Sequence, residues 1–193
     1  MWQGQVAEHA IFLADYAINP LGVKSDAAIA EVVASWLKRA ACASDTLVIA
    51  CNTLSIRYQQ LRETGSLDNP GLNIVSMVDC FEAMVRCEVD RLENSKILVV
   101  GTEFTSRQPL YAQIVERVVP GACVDTIAAT ELERKIARFE GWNGAGDPTL
   151  TGELRSAIGA SDVTILACTC FPMVKADLEF LFPDVVFLDP GAY

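Results

Sequence analysis

The sequence has little of what would assign it to several common classes of protein. Its 193 residues include a single histidine, His9, and no Cys-x-x-Cys pair. A structural zinc site and a catalytic pair that needs histidine elsewhere in the chain are therefore poorly supported. Basic residues are also few, 15 against 25 acidic ones, which gives a formal charge of −10. Nucleic acids and anionic membranes bind basic surfaces, so neither is an expected partner.

Long apolar runs and leader-like segments are missing as well. No apolar run is long enough to span a bilayer. Residues 1–5, Met-Trp-Gln-Gly-Gln, lack the basic and apolar regions of a signal peptide, so we expect a cytoplasmic protein. The cysteine count is seven, an odd number, and the residues lie in apolar segments, which disfavours a secreted disulfide framework.

What the chain does contain is an alternation of short apolar runs with helix-like segments. Strands that are apolar throughout are buried on both faces, and helices between them indicate a parallel α/β sheet. Ser25 or Asp26 is the expected cap of the first helix. We expect strands at 10–14, 46–50, 73–78, 96–100, 124–128, 163–167 and 185–188, and helices at 26–43, 54–63, 81–93, 109–119, 131–139, 149–158 and 173–181.

One segment of the sequence has an internal counterpart. Residues 44–53, SDTLVIACNT, match residues 161–170, SDVTILACTC, with Ser, Asp, Ala and Cys at the same places. We therefore predict two pseudo-symmetric parallel-sheet α/β halves, 1–93 and 94–193, with the functional site in the cleft between them.

The two cysteines of this repeat are the candidate reactive groups. Cys51 and Cys168 each end a buried strand, at the sheet edge where parallel α/β proteins bind ligands. A helix N-terminus beside each thiol would favour a thiolate and an anionic ligand. Asn52, Thr53 and Thr169 add donors that suit a carboxylate. A free cysteine is often only a packing residue, which is how we interpret Cys42, Cys80, Cys87 and Cys123.

A duplicated thiol suits racemisation at an amino-acid Cα. One group must remove a proton, and another must deliver one to the opposite face. Two thiols that face each other across a planar carbanion meet this need, provided that one is a thiolate while the other is a thiol.

Several motifs occur in an order typical of one enzyme family. They are Ala50–Thr53 (ACNT), Leu166–Pro172 (LACTCFP), Asp15–Ser25 (DYAINPLGVKS), Gly101–Thr105 (GTEFT) with Tyr111, and Asp189–Gly191 (DPG). Together they resemble glutamate racemase, of the aspartate/glutamate racemase superfamily, over nearly the whole chain.

The resemblance implies specific roles for these residues. Cys51 and Cys168 would be the two acid/base thiols. The substrate, most simply glutamate, would contact Pro20, Leu21, Gly22, Asn52, Thr53 and Thr169. No cofactor, metal or pyridoxal phosphate would be required. The product would supply peptidoglycan precursors, and a homodimer is a further expectation.

The sequence also departs from the family pattern. The family's opening Asp-Ser-Gly-x-Gly-Gly strand and its closing helix are not present, so we expect a shortened member with reduced or no activity. Cys170 stands where the family has histidine, and a thiol is the weaker donor. Leu21 replaces a tyrosine and removes a polar contact.

Two other functions remain open from the sequence. The chain could be a noncatalytic ligand- or partner-binding remnant of the fold. It could also be a thiol redox protein, with a reversible disulfide between Cys168 and Cys170. Residues 142–147 are expected to be a flexible connection, and the acidic residues to lie on the solvated surface.

Overall fold

The structure is a computed structural model that describes residues 10–14, 21, 24–68 and 71–193. Within these ranges helices and strands alternate. The helices are α1 Asp26–Ala41, α2 Asn52–Glu63, α3 Met77–Cys87, α4 Val89–Leu92, α5 Glu103–Arg107, α6 Leu110–Val118, α7 Thr130–Ala137, α8 Gly152–Gly159 and α9 Lys175–Leu181. The strands are β1 Thr46–Ile49, β2 Asn73–Ser76, β3 Lys96–Gly101, β4 Cys123–Ala128, β5 Val163–Ala167 and β6 Val186–Leu188, and short 3₁₀ turns occupy Gly144–Gly146, Phe171–Val174 and Pro190–Ala192.

Local sequence explains where the helices begin. Ser25 caps α1 by accepting a hydrogen bond from the amide of Ala28 at 3.3 Å, as the sequence predicts. Helix α3 begins with a capping box, in which Ser76 and Asp79 each bond to the other's backbone amide. The buried face of α1 consists of Ile29, Val33, Leu37 and Ala40, at helical spacing.

The described strands form two parallel sheets. Strand β1 pairs with β2, and the second sheet has the order β4-β3-β5-β6. Every residue of β5 is buried, as expected for an inner strand covered on both faces. Gly101 ends β3 where a Cβ atom would lie 3.0 Å from the side chain of Thr105, so a larger residue there would have to displace Thr105.

Helices α3 and α6 pack in the core of the second sheet. Phe81 of α3 stacks on Tyr111 of α6, with ring centroids 4.1 Å apart, and both side chains are fully buried. Helix α3 follows the first sheet along the chain and packs against the second, whereas β1 and β2 contribute to a separate apolar cluster with α1 and α2. The division into halves at residue 93 stays a prediction.

Most of the predicted elements are confirmed within a few residues, but two local predictions are wrong and one helix was not predicted. Residues 10–14 form no strand and are exposed, because no described strand pairs with this apolar run. Residues 77 and 78 begin α3 instead of ending β2, and α5 was not expected at all. None of the described helices combines the length and apolarity that crossing a membrane would require.

The loop at residues 142–147 is anchored instead of being a loose connection. The carboxylate of Asp147 is buried and accepts hydrogen bonds from Lys135 at 2.5 Å and from the Asn143 amide at 2.9 Å. It also accepts two bonds from Thr149. Asp147 is thus an exception to the prediction that acidic residues lie on the solvated surface.

Candidate active site

Cys51 lies between the end of β1 and the first turn of α2. It is the N-cap residue of that helix, in an extended conformation, and its side chain is half-buried. Ser55 fixes this junction, because its hydroxyl donates to the Ile49 carbonyl at 3.1 Å and accepts from the Met77 amide at 3.0 Å. The start of α2 is therefore tied to the carboxyl ends of both β1 and β2.

Burial raises the pKa of the Cys51 thiol. The backbone amides of Leu54 and Thr53 act in the opposite direction, as a helix N-terminus should, but their effect is smaller. The helix terminus thus acts in the direction that the sequence predicts, but desolvation of the sulfur prevails, so the thiolate is not favoured at Cys51.

Cys168 follows β5 directly and lies in a turn. The turn is closed by a hydrogen bond from the Phe171 amide to the Cys168 carbonyl at 3.0 Å. Only the 3₁₀ turn Phe171–Val174 follows, so no α-helix begins at Cys168, in contrast to the arrangement at Cys51. Within this turn the Cys168 and Cys170 sulfurs are 3.2 Å apart, and both side chains are half-buried.

These two thiols titrate as a coupled pair. The hydrogen bond with Cys170 and, next, burial raise the pKa of Cys168. The same hydrogen bond lowers the pKa of Cys170. A thiol that donates to a neighbouring thiolate makes the first proton of the pair easier to lose and the second harder. The favoured ionised form is therefore one thiolate shared with one thiol.

Cys51 lies within electrostatic reach of this pair. A negative charge on Cys168 raises the pKa of Cys51, and a charge on Cys51 raises the pKa of Cys170. The interaction is between the ends of β1 and β5, which belong to different sheets. The two candidate thiols of the sequence analysis are thus close enough for the charge of one to act on the other.

Asn52 is a buried side chain next to Cys51 with one unused donor. Its oxygen accepts a hydrogen bond from the Tyr111 hydroxyl at 2.5 Å. Its Nδ2 atom has no hydrogen-bond partner among the described residues. Burial and the nearby thiols, Cys51 foremost, raise the pKa of Tyr111, so the hydroxyl stays protonated and holds the Asn52 amide in one orientation.

Thr53 connects the first sheet to the second. Its hydroxyl lies 3.3 Å from that of Thr102, which caps α5 at the end of β3. Thr102 also bonds to the hydroxyl and amide of Thr105. Thr53 is buried, and its hydroxyl is engaged in this chain of bonds.

The remaining predicted site residues have different settings. Thr169 is exposed beside Cys168. Leu21 is buried in the apolar cluster of α1 and α2, against which Cys51 packs. Pro20 and Gly22 lie outside the described residues. Contacts of these residues with a substrate stay predictions.

Glu133 is a residue of this region that the sequence did not single out. It lies on α7, half-buried, and burial raises its pKa although Arg134 opposes the shift. Its charge raises the pKa of Cys51, Cys168 and Cys170. No motif marks Glu133, because α7 carries several acidic and basic residues of similar appearance.

Metal ligands do not cluster in the part of the chain that the structure describes. No group of three or more His, Cys, Asp or Glu side chains there is placed to hold an ion. The chemistry that the described residues offer at this site is proton transfer by thiols, with amide and hydroxyl donors beside them.

Similar proteins share this sequence pattern and fold. Glutamate racemase from Glaesserella parasuis serovar 5 (strain SH0165) is 28% identical over 191 residues, which are 95% of this chain and 67% of that protein. Glutamate racemase from Neisseria meningitidis serogroup C / serotype 2a is 30% identical over 177 residues, covering 87% of this chain and 61% of that protein. The chain thus spans about two thirds of the length of its curated relatives.

Solved structures show the same fold. The crystal structure of glutamate racemase from Campylobacter jejuni subsp. jejuni superposes with a TM-score of 0.67 at 23% identity, covering 92% of this chain and 69% of that one. A Francisella tularensis glutamate racemase in complex with D-glutamate gives 0.65 at 19% identity, covering 91% and 64%. The model of the Asp/Glu/Hydantoin racemase family matches residues 9–193, and the chain belongs to that family.

Proposed function

We propose that this protein is an amino-acid racemase that interconverts L- and D-glutamate, with Cys51 and Cys168 as its two proton-transfer groups. One observation carries the proposal: the thiols lie at the ends of β1 and β5, in different sheets, and are close enough that a charge on Cys168 raises the pKa of Cys51. Glutamate as the substrate is supported by the glutamate racemases among the similar proteins.

The pKa shifts suggest how the two thiols divide their roles. The pair of Cys168 and Cys170 carries the thiolate more readily, while burial keeps Cys51 protonated. In one direction, the pair holds its proton on Cys170, which donates to the Cys168 thiolate; this thiolate removes the Cα proton, and the Cys51 thiol donates a proton to the opposite face. In the reverse direction the roles exchange: the Cys51 thiolate removes the proton and the Cys168 thiol donates one, so each turnover uses one thiol as the base and the other as the acid.

The polar groups beside the thiols suit the substrate's charged ends. The Nδ2 atom of Asn52 is buried without a hydrogen-bond partner in the part of the chain that the structure describes, and such a donor costs free energy of desolvation unless a ligand accepts from it. A substrate carboxylate is a suitable acceptor, and the exposed hydroxyl of Thr169 offers another donor beside Cys168. Tyr111 would act through Asn52 by fixing its orientation.

The physiological context is part of the same proposal. D-Glutamate from this reaction would supply peptidoglycan precursors. The cytoplasmic location and the homodimer stay predictions.

Proton exchange at Cα tests the proposal. The full chain is incubated with L-glutamate in deuterated water, and deuterium at Cα is followed by NMR together with formation of D-glutamate. We expect both signals, and a loss of about 10²- to 10⁴-fold in Cys51→Ser and in Cys168→Ser, because each variant lacks one proton-transfer group. Cys123→Ser, an exposed cysteine on β4, is the matched control and should retain the wild-type rate.

The outcome also separates the racemase from a noncatalytic module. Binding of glutamate without any exchange at Cα would contradict the racemase and identify a ligand-binding protein. Exchange that survives in both serine variants would show that other groups move the proton.

A further inference from the structure

The turn after β5 holds two sulfurs close to bonding distance. The Cys168 and Cys170 sulfurs are 3.2 Å apart, and a disulfide bond is about 2.05 Å long, so they need to approach by only about 1.1 Å. Disulfides join Cα atoms about 4.4 to 6.8 Å apart, and two residues of even fully extended chain span at most about 7 Å. The hydrogen bond from Phe171 to Cys168 folds this segment into a tighter turn. A bond between the two sulfurs is therefore within the reach of the backbone.

The pair is also accessible and reactive. Both side chains are half-buried, and Thr169 between them is exposed, so a small oxidant in solvent can reach the turn. The thiolate is the form of cysteine that peroxides oxidise, and the hydrogen bond with Cys168 lowers the pKa of Cys170. Cys170 is thus the sulfur where oxidation should begin, with Cys168 in contact to resolve it.

We propose that Cys168 and Cys170 are an oxidation site for small peroxides, at which a reversible disulfide forms within the turn after β5. The disulfide itself is independent of any enzymatic activity. Its consequence, that the site becomes inactive while Cys168 is oxidised, rests on the proposed function.

The chemistry balances with hydrogen peroxide as the oxidant. The Cys170 thiolate attacks one peroxide oxygen; the S–O bond forms, the O–O bond breaks, and hydroxide leaves. The Cys168 sulfur then attacks the Cys170 sulfenic acid; the S–S bond forms, the S–O bond breaks, and the hydroxyl leaves as water with the Cys168 proton. Two thiols lose two electrons and two protons, and one peroxide becomes two waters. A dithiol such as dithiothreitol reverses the change by exchange.

The other cysteines provide the contrast that makes the site specific. Cys42, Cys87 and Cys123 are exposed, and the only sulfur–sulfur hydrogen-bonding contact in the described part of the chain is that of Cys168 with Cys170. Cys51 is nearby, but burial raises its pKa, so its thiol reacts slowly with peroxide. Exposed thiols without a neighbouring thiol can be oxidised but cannot close a disulfide within the chain.

Peptide mapping tests the proposal directly. The full chain is treated with hydrogen peroxide, the remaining thiols are alkylated, and the protein is digested with trypsin. Cleavage after Arg155 and Lys175 gives a peptide, residues 156–175, that contains Cys168 and Cys170 and no other cysteine. Cys51 falls in a separate peptide, residues 40–57, with Cys42.

We expect peptide 156–175 to escape alkylation after peroxide and to be lighter by two hydrogen atoms than its reduced form. Dithiothreitol should restore both alkylation sites. Cys168→Ser and Cys170→Ser should each abolish the change, while Cys123→Ser should leave it intact. Circular dichroism and thermal unfolding verify that each variant is folded. If one serine variant does not fold, the wild-type peptide and the other variant still decide the question.

Three results would overturn the proposal. The first is full alkylation of Cys168 and Cys170 after peroxide. The second is oxidation of Cys170 to sulfinic acid while Cys168 remains alkylated. The third is a disulfide that links peptide 156–175 to peptide 40–57, which would make Cys51 the partner instead.

The effect of oxidation on the exchange activity is measured separately. If reduced wild-type protein exchanges the Cα proton of glutamate, peroxide should abolish the exchange and dithiothreitol should restore it. A disulfide in peptide 156–175 combined with no exchange by the reduced protein would contradict the proposed function and leave the oxidation site standing. Exchange by the reduced protein, with no disulfide after peroxide, would contradict the oxidation site and leave the proposed function standing.

Discussion

The hydroxyl of Tyr111 on α6 donates to the side-chain oxygen of Asn52 at the start of α2, and the two atoms are 2.5 Å apart. The two residues are 59 positions apart in the chain, and both are buried. This bond engages the oxygen of the Asn52 amide, and its Nδ2 atom, beside Cys51, has no partner among the described residues. Tyr111 thereby acts on the candidate site from outside it.

Removing the Tyr111 hydroxyl should weaken glutamate binding. Tyr111→Phe keeps the ring that stacks on Phe81 but leaves the Asn52 oxygen without its donor. We expect a higher KM for glutamate with a smaller change in kcat, and a loss of about 1–3 kcal/mol in the free energy of unfolding. Steady-state kinetics and denaturant unfolding measure the two effects.

Tyr193→Phe is the matched control for this variant. It removes another tyrosine hydroxyl, which donates to Glu88 at 2.7 Å, distant in sequence from Cys51 and Cys168. The KM should stay at the wild-type value. An unchanged KM in Tyr111→Phe would show that Asn52 needs no orientation by Tyr111, or does not contact the substrate.

Replacing Cys170 should raise the pH at which the Cys168–Cys170 turn first forms a thiolate. In Cys170→Ser the first, easily lost proton of the pair is gone. Cys168 loses the contribution of Cys170 to its raised pKa, but burial still holds that pKa above the ordinary value and so above the first ionisation of the pair. Since a thiolate forms as pH rises, the ascending limb of the exchange rate should move to higher pH. Thiolate absorbance near 240 nm, titrated without substrate, should show the same shift, and Cys123→Ser should not. An ascending limb at the same pH as in the wild-type protein would show that Cys170 does not help this site to form a thiolate.

Neutralising Glu133 should have the opposite effect. Its charge raises the pKa of Cys51, Cys168 and Cys170, so Glu133→Gln should let the thiols ionise at lower pH. The ascending limb of the exchange rate should move down in pH. Glu116→Gln, an exposed glutamate on α6, is the control for the loss of one negative charge elsewhere. Equal shifts in both variants would mean that only the total charge matters.

Asp147 should make stability depend on pH in acid. Burial alone would raise the pKa of Asp147, but hydrogen bonds from Lys135, Thr149 and Asn143 hold it well below its usual range. A lowered pKa in the folded state stabilises the fold above the unfolded value, about 3.9, and this stabilisation is lost as pH falls further.

Asp147→Asn tests this stabilisation. We expect the free energy of unfolding to fall by about 1–3 kcal/mol at neutral pH, and the difference from wild type to shrink below about pH 4. Glu131→Gln breaks the exposed pair with Arg134 on the same helix and should cost at most about 1 kcal/mol. A difference that persists unchanged at low pH would mean that the charge of Asp147 contributes nothing. Urea unfolding at several pH values measures the difference in the free energy of unfolding between wild type and Asp147→Asn.

The sequence predicts the sheet strands well where burial dictates the residue types. Strand β5 is apolar at nearly every position, and its predicted bounds, 163–167, match the structure. The run at 10–14 is just as apolar, but it has no described partner strand and remains exposed. An apolar run reports a tendency to be buried, whereas a strand also needs a neighbour to complete its hydrogen bonds.

The sequence predicts the positions of the candidate thiols but not their charge states. Cys51 and Cys168 follow from their places after apolar strands, which are visible in the sequence. The expected burial of both strands is confirmed for β5 only, since β1 buries Ile49 alone and exposes Val48. The charge states of the thiols do not follow, because burial of Cys51 and the contact of Cys168 with Cys170 depend on the tertiary structure. Glu133 approaches the thiols only through the packing of α7, which no local pattern reports.

The isotope content of the first product molecules tests the central claim most directly. In deuterated water, two thiols on opposite faces of Cα remove hydrogen from one side and deliver deuterium from the other. The account predicts that D-glutamate formed early from L-glutamate carries deuterium at Cα while the remaining L-glutamate does not, and the same pattern in reverse from D-glutamate. Early product that retains the original hydrogen, or deuterium that appears equally in substrate and product, would show a single base and contradict the account.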